Sequence, residues 1–167
     1  MTAEEIEKYL TELSDELCAV QVKGEVYLYG GAVMCLAFKA RPSTKDVDAI
    51  FEPVREIRRA SMKVADRHHL DVDWLNLAVR MFVTEHEKRV LFDLPCLKVF
   101  IPETDYMLAM KVLSARVDSS DLDDIRFLIK ALNLAKVEDV LRIVRNYYPR
   151  KEVKPATIFA LEEILET

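Results

Sequence analysis

LYGGAVMCLAFKARPSTKDVDAIF, residues 28–51, strings together an apolar run, two glycines, a second apolar run, a polar loop and a pair of aspartates. VYLY at 26–29 has the branched and aromatic composition of a short buried strand, and Gly30 and Gly31 break it. AVMCLAFK at 32–39 reads as a short apolar helix, and ARPSTK at 40–45 as a loop, because Pro42 pushes Arg41 away from helical angles. DVDAIF at 46–51 is then a second strand. On a strand Asp46 and Asp48 project from one face, with Val47, Ala49 and Ile50 burying behind and around them. Two carboxylates held this close repel each other unless a positive charge intervenes. Mg²⁺ or Mn²⁺ supplies that charge, and magnesium favours one or two carboxylates plus substrate phosphates over a cage built wholly of protein. Glycines at 30 and 31 let backbone approach a ligand closely, and the start of the next helix offers N–H groups to a phosphate. Arg41, Ser43, Thr44 and Lys45 add donors just before the aspartates. Together these parts describe a site for a nucleoside triphosphate and its metal. Each half alone has a plainer reading, as surface acids or as a turn; their combination across one apolar helix gives the pattern its weight.

Working outward, Ile6, Tyr9, Leu10, Leu13 and Leu17 recur at helical spacing, so 4–18 is a helix, with Thr2 and Glu5 as its capping pair. A helix is expected over 54–67, a strand within LDVDWLN at 70–76, and two short strands in RVLFDLPCLKVFI at 89–101, divided near Asp93–Pro95. The stretch 76–84 fits neither pattern. Beyond Pro102 the pattern is helical, near 103–116, 121–132, 137–147 and 155–166, with Ser120 and Asp123 as a capping signature for the second of these. The expected class is α+β: a small mixed sheet with helices packed on it over residues 1–102, followed by a helical region over 103–167 packed against that core.

The chain has 167 residues, about half of them hydrophobic, enough for one compact domain with a helical extension. A net charge of -5 argues against non-specific coating of nucleic acid, though not against a local basic groove. No apolar stretch reaches the roughly 18 residues of a membrane span, and MTAEEIEKYL is not a signal peptide. Cys18, Cys35 and Cys96 lie far apart in apolar runs, without zinc spacing, and read as three buried thiols of a cytoplasmic protein.

The 28–51 stretch resembles the nucleotidyltransferase superfamily, whose pattern is a strand, Gly-Gly or Gly-Ser, a short helix, then Asp-x-Asp on a strand. More narrowly, GGAVM with ARPSTKDVDAIF is similar to the nucleotidyltransferase-like toxins of abortive-infection and toxin–antitoxin systems and their uncharacterised relatives. The likeness continues into DYMLAMKVLSARVDSSDLDDI at 105–125, where Lys111, Arg116, Asp121 and Asp124 match a lysine, an arginine and a downstream aspartate pair. The resemblance implies Asp46 and Asp48 as metal ligands, Gly30 and Gly31 along the triphosphate, and Lys111 as a phosphate or base contact. It also implies a third carboxylate on a neighbouring strand, binding metal or taking the acceptor's proton. Asp71 and Asp73 share a face of an extended 70–75, so parity does not choose between them; Asp73 is preferred for lying deeper, beside Trp74, and the remaining alternative is that neither reaches the site. The acceptor implied is tRNA, another RNA or a protein side chain, with an antitoxin as a further partner.

Several charged residues carry double readings. Lys111 either snorkels to water or points into a cleft. Asp121 and Asp123 suit the first turn of a helix, and Asp124 suits a pairing with Arg116 or Lys111. His68 and His69 read as helix-end or surface residues, and His86 as part of a charged patch without a partner pattern. Arg55, Arg59, Lys63 and Arg67 line one side of a helix, as a solvated face or a groove for RNA; Arg142, Arg145, Arg150, Lys151 and Lys154, with Tyr147 and Tyr148 among them, pose the same choice. Three functions stay open: metal-dependent nucleotidyl transfer, an inactive nucleotide- or partner-binding module of the same fold, and a structural protein that uses Asp46 and Asp48 in salt bridges. No Walker lysine loop follows the glycines, so a P-loop enzyme is unsupported.

Overall fold

A computed structural model describes residues 1–167. The chain divides into two compact units, Met1–Val83 with Lys88–Pro102, and Thr84–Glu87 with Glu103–Thr167. The first unit holds a five-stranded mixed sheet: β1 (Gly24–Tyr29), β2 (Val47–Glu52), β3 (Leu75–Asn76), β4 (Lys88–Asp93) and β5 (Leu97–Pro102), in spatial order β3-β2-β1-β5-β4. β1 is antiparallel to β2 and parallel to β5, β3 runs parallel to β2, and β4 closes the far edge antiparallel to β5. Period-two patterning fixes which face is buried. Val26 and Leu28, Val47 and Ala49, and Val99 and Ile101 are all without exposed surface or nearly so. On the opposite face Tyr27 stacks on Phe100 with ring centroids 4.7 Å apart, and Asp48 and Ile50 are half-buried.

Three helices complete this unit: α1 (Ala3–Ala19), α2 (Gly30–Leu36) and α3 (Val54–His68). α1 starts at the expected capping box, with Thr2 N–H donating to Glu5 at 3.0 Å and Glu5 N–H donating to the Thr2 hydroxyl at 3.2 Å. Its Ile6, Leu10, Leu13 and Leu17 are fully buried, the stripe read from their spacing. α3 buries Ile57, Ala60, Val64 and Ala65 and carries the basic row. The C-terminal half of that row is spent on α1: Arg67 donates to Glu12 at 3.1 Å and Glu16 at 2.6 Å, Lys63 lies 3.5 Å from Glu16, and His68 meets Glu12. Arg55, Arg58 and Arg59 stay exposed.

That contact gives stability a pH dependence of known sign. Burial pushes the Glu12 carboxyl up, but the hydrogen bonds from His68 and Arg67 outweigh it, and the Arg67 bond holds Glu16 down as well; both lie below the ordinary 4.5. A carboxylate lowered in the folded state stabilises it above the unfolded value, and that contribution is lost as pH falls through the folded value. Glu12→Gln/Glu16→Gln is therefore expected to be less stable than wild type in denaturant titrations near neutral pH, with the gap closing below about pH 4.

Cys18 and Cys96 form a disulfide, and only Cys35 is a free, buried thiol. This corrects the reading of three separate thiols and removes its argument for a reducing compartment. The separation of 78 residues hid the pairing, because the partners meet only once the end of α1 lies beside the turn before β5. Closing so long a loop restricts the unfolded chain, so Cys18→Ser/Cys96→Ser is expected to lose about 4 kcal/mol in urea titration. No helix is long and apolar enough to cross a membrane.

The second unit is helical: α4 (Thr104–Ser114), α5 (Asp121–Ala131), α6 (Val137–Tyr147) and α7 (Pro155–Glu166). α4 packs against α5 and α6 and buries Tyr106, Met107, Leu108, Ala109 and Val112. The Tyr106 hydroxyl accepts from Thr84 N–H at 2.9 Å and bonds the Tyr148 hydroxyl at 2.8 Å, while the His86 ring stacks on the Tyr106 ring at 3.8 Å. His86, read from the sequence as part of a charged patch without a partner pattern, is thus a packed residue with the Tyr106 ring as its partner. Tyr147 donates to Asp105 at 2.8 Å, and burial together with that bond pushes its phenol up to about 12. Both tyrosines of the C-terminal basic stretch are engaged inside this unit, and Arg142 and Arg145 pair with Asp139 and Glu138.

Three local expectations change. α2 begins at Gly30 itself, so the glycines form its first turn, and it ends at Leu36. The strand expected over 70–76 shrinks to Leu75–Asn76, with Asp71 and Asp73 ahead of it at a turn, and the ambiguous stretch forms a 3₁₀ helix over Ala78–Phe82. At α5 the side chain that accepts from Asp121 N–H, at 3.2 Å, belongs to Ser119 and not to Ser120.

Candidate active site

At the end of the sheet where β1 finishes and β2 begins, the first unit holds a cleft of about 560 Å³. Lys45, Asp46, Asp48 and Asp73 all line it, so four residues singled out in the sequence share one space. Asp46 is exposed just ahead of β2, and Asp48 is half-buried within it. Buried Val47 and Ala49 anchor the strand that carries them.

The glycines sit against this arrangement from behind. Gly30 has φ +63°, a conformation that side-chain-bearing residues rarely adopt, and a Cβ added there would lie 2.9 Å from Asp48 Oδ2. A Cβ at Gly31 would lie 2.4 Å from Thr44 Oγ1 and 2.9 Å from Arg41 Nη1. A side chain at Gly30 would displace Asp48, and one at Gly31 would displace Thr44 and Arg41. Gly30 is therefore pressed onto Asp48, and Gly31 onto Arg41 and Thr44, so the two ends of the 28–51 stretch close on each other. Ser43 is exposed, and its backbone pairs with Thr2. Next to that pair, Thr44 N–H donates to the Met1 carbonyl at 2.9 Å, and Met1 N donates back to the Thr44 carbonyl at 2.7 Å. Residues 1 and 2 thereby hold the loop that leads into Asp46, and Met1 lines the cleft.

Asp73 shares the cleft from the exposed turn and not from a strand, and so does Asp71. No group of three or more His, Cys, Asp and Glu is gathered closely enough to hold a metal ion, so Asp73 does not join Asp46 and Asp48 in a three-carboxylate set. The donors still fit a magnesium-like ion that completes its shell with phosphates: two carboxylates two residues apart, one of them backed by a cradle that a Cβ would fill. Sequence reasoning missed Asn76 and read His69 as a helix-end or surface residue; both also line the cleft. Asn76 pairs directly with Asp48 across β3 and β2, and His69 ends α3 in a left-handed conformation at φ +55°. Asn76 was within reach of the sequence, since the strand signal in LDVDWLN ends on it.

Lys111 belongs to the second unit, on α4. Its ammonium lies 2.8 Å from Asp124 and 3.6 Å from Asp121, with both lysine and Asp124 side chains buried. Burial pushes the Asp121 carboxyl up, but bonds from the Ser119 hydroxyl and Arg116 N–H, with the Lys111 charge, hold it below its ordinary value.

A strand, two glycines opening a short helix, and an Asp-Val-Asp run leading into the next strand follow in the order the sequence resemblance implied. The family described as "Nucleotidyltransferase of unknown function (DUF6036)" matches residues 5–162. The chain belongs to this family. The match spans both units, so the helical region is part of the nucleotidyltransferase family's own pattern and not an appended segment. No curated protein and no solved structure matches the chain.

Proposed function

We propose that the protein is a metal-dependent nucleotidyltransferase that moves a nucleoside monophosphate from a nucleoside triphosphate to a hydroxyl of an RNA, such as tRNA, or of a protein. The observation that carries this reading is the contact of Gly30 with Asp48, which keeps side-chain bulk away from a carboxylate at the mouth of a cleft already lined by Asp46 and Lys45. In the proposed reaction the acceptor oxygen bonds to the α-phosphorus, the bond from that phosphorus to the β-phosphate oxygen breaks, and pyrophosphate leaves while the acceptor gives up its proton. Mg²⁺ or Mn²⁺, when bound, supplies the positive charge that draws electrons from the α-phosphate. Asp46 and Asp48 hold it. Lys45, which lines the cleft, donates toward the phosphates, while the Thr44 N–H and hydroxyl are given to the Met1 and Asp46 carbonyls and brace the loop that carries Lys45 and Asp46. Asp73, exposed on the cleft wall, is the carboxylate left to take the acceptor's proton.

The test is incubation with each α-³²P-labelled nucleoside triphosphate, Mg²⁺ or Mn²⁺ and total cellular RNA, the protein itself serving as a second acceptor. Label on RNA or protein that is absent with Asp46→Asn/Asp48→Asn supports transfer and names the nucleotide. Asn76 beside Asp48 favours a second reading, a nucleotide-binding module without transfer, for which binding without any label is the signature. The likeness to toxins extends the proposal to growth arrest on induced expression, which the double variant should relieve.

A further inference from the structure

The positive charge of α3 falls into two parts. Its last turns are spent on α1, where Lys63, Arg67 and His68 meet Glu12 and Glu16. Its first two turns hold Arg55, Arg58 and Arg59, all exposed, and none of the three forms an ion pair, not even with Glu56 or Asp66 on the same helix. Elsewhere Arg116, Arg126, Arg142 and Arg145 each meet a carboxylate. Spacings of three and four residues set positions 55, 58 and 59 side by side, with exposed Met62 next along the same face, while Ile57, Ala60 and Val64 pack on the opposite one. This placement works against the helix. The N-terminal end of a helix is its positive end, so an arginine in the first turn is disfavoured, and neighbouring guanidiniums repel one another. Stability alone would favour acids there, as α5 and α6 have in their first turns. Three cations that oppose their own helix and find no partner in the fold mark a surface kept for an anionic partner.

We propose that the first two turns of α3 dock the phosphate backbone of an RNA. The docking stands by itself; that this RNA is the acceptor, in preference to a protein, rests on the nucleotidyltransferase reading above. Guanidinium forks match phosphate oxygens two bonds at a time, which suits a row of arginines to a polyphosphate chain. Met62 is the one apolar side chain among them, too little to enter a lipid surface. With a net charge of -5 on the whole chain, attraction of a polyanion is confined to such a patch. α3 rises about 1.5 Å per residue, so the arginines stand roughly 15–21 Å along the helix from His69, which lines the cleft. At about 3.4 Å per nucleotide that distance is roughly five or six nucleotides. The patch therefore holds backbone remote from the reacting end, and leaves that end free.

The test follows the anisotropy of fluorescein-labelled unfractionated tRNA on addition of the full chain, without nucleotide or divalent ion, over a series of KCl concentrations. Arg55→Gln/Arg58→Gln/Arg59→Gln is expected to bind at least about tenfold more weakly than wild type at low salt, and its slope of log affinity against log salt to be smaller by about 2 to 3. Lys8→Gln/Lys130→Gln/Lys136→Gln removes the same charge from other exposed positions and should stay within about twofold of wild type. The arginine variant should unfold at no lower urea concentration than wild type, because these guanidiniums have no partner in the fold. Failure of wild type to bind tRNA overturns the proposal, as does equal weakening in the lysine variant, which would reduce the effect to net charge. Binding to phosphatidylserine vesicles without binding to tRNA overturns it in favour of a membrane surface. The labelling assay above separates the two claims. tRNA held through the arginines, with no label on any acceptor, supports the docking face and counts against transfer. Label on RNA, with full tRNA affinity in the arginine variant, sinks the docking face alone.

Discussion

Asp46→Asn/Asp48→Asn is expected to lose metal-dependent nucleotide affinity by at least about 100-fold, roughly 3 kcal/mol, while unfolding at the same denaturant concentration as wild type. The two halves of this expectation have separate causes. Affinity falls because an amide keeps the shape of a carboxylate but not the charge that holds a cation against phosphates. Stability is retained because β2 is anchored by the opposite face, where Val47, Ala49 and Phe51 are buried, while Asp46 is exposed and Asp48 only half-buried. Asparagine at 48 also respects the tight packing on Gly30, which a larger residue would not. Binding is read with a fluorescent nucleoside triphosphate, with and without Mg²⁺. Equal Mg²⁺-dependent affinity in the double variant would remove the aspartates from the site.

Lys111→Met is expected to destabilise the protein by about 3–5 kcal/mol. Methionine fills the volume of the lysine stem but leaves Asp124, whose side chain is 3 % exposed, charged and without its cation at 2.8 Å. The stranded charge is the source of the cost. Lys111→Met/Asp124→Leu, which removes both charges, should therefore recover much of the loss. Urea titrations of the two variants check this. A loss under 1 kcal/mol in the single variant would mean that the pair does little for folding. Asp124, for which a pairing with Arg116 or Lys111 was expected, has its closest ion pair with Lys111.

Nearly all of the secondary structure was legible, because the buried stripe of α1, the alternation in β2 and β5 and the proline-marked ends of the late helices are local signals. The closeness of Gly30 to Asp48 and of Gly31 to Arg41 and Thr44 was legible for a related reason: all lie within one short stretch that folds back on itself, although of these only Asp48, with Asp46, lines the cleft. What failed to show were relations set by distant parts of the chain. Cys18 and Cys96 look like isolated apolar thiols until α1 is docked. His86 has no pattern of its own because its partner is the ring of Tyr106 on α4. Asp73 was assigned to a strand by alternation alone, yet only two residues there find a partner strand, and the one beside Asp48 is Asn76. The basic row on α3 gave no sign that its lower end is neutralised, since Glu12 and Glu16 sit some fifty positions earlier, on another helix.

The pairing of residues 1 and 2 with the loop at 43 and 44 bears on how the molecule is handled in the laboratory. Anything fused ahead of Met1 must leave the surface from the wall of the cleft itself. A polyhistidine purification tag placed there would bring metal-chelating imidazoles beside Asp46 and Asp48, contributing a background signal to every cation titration. A tag after Thr167 leaves Met1 and Thr2 themselves unextended.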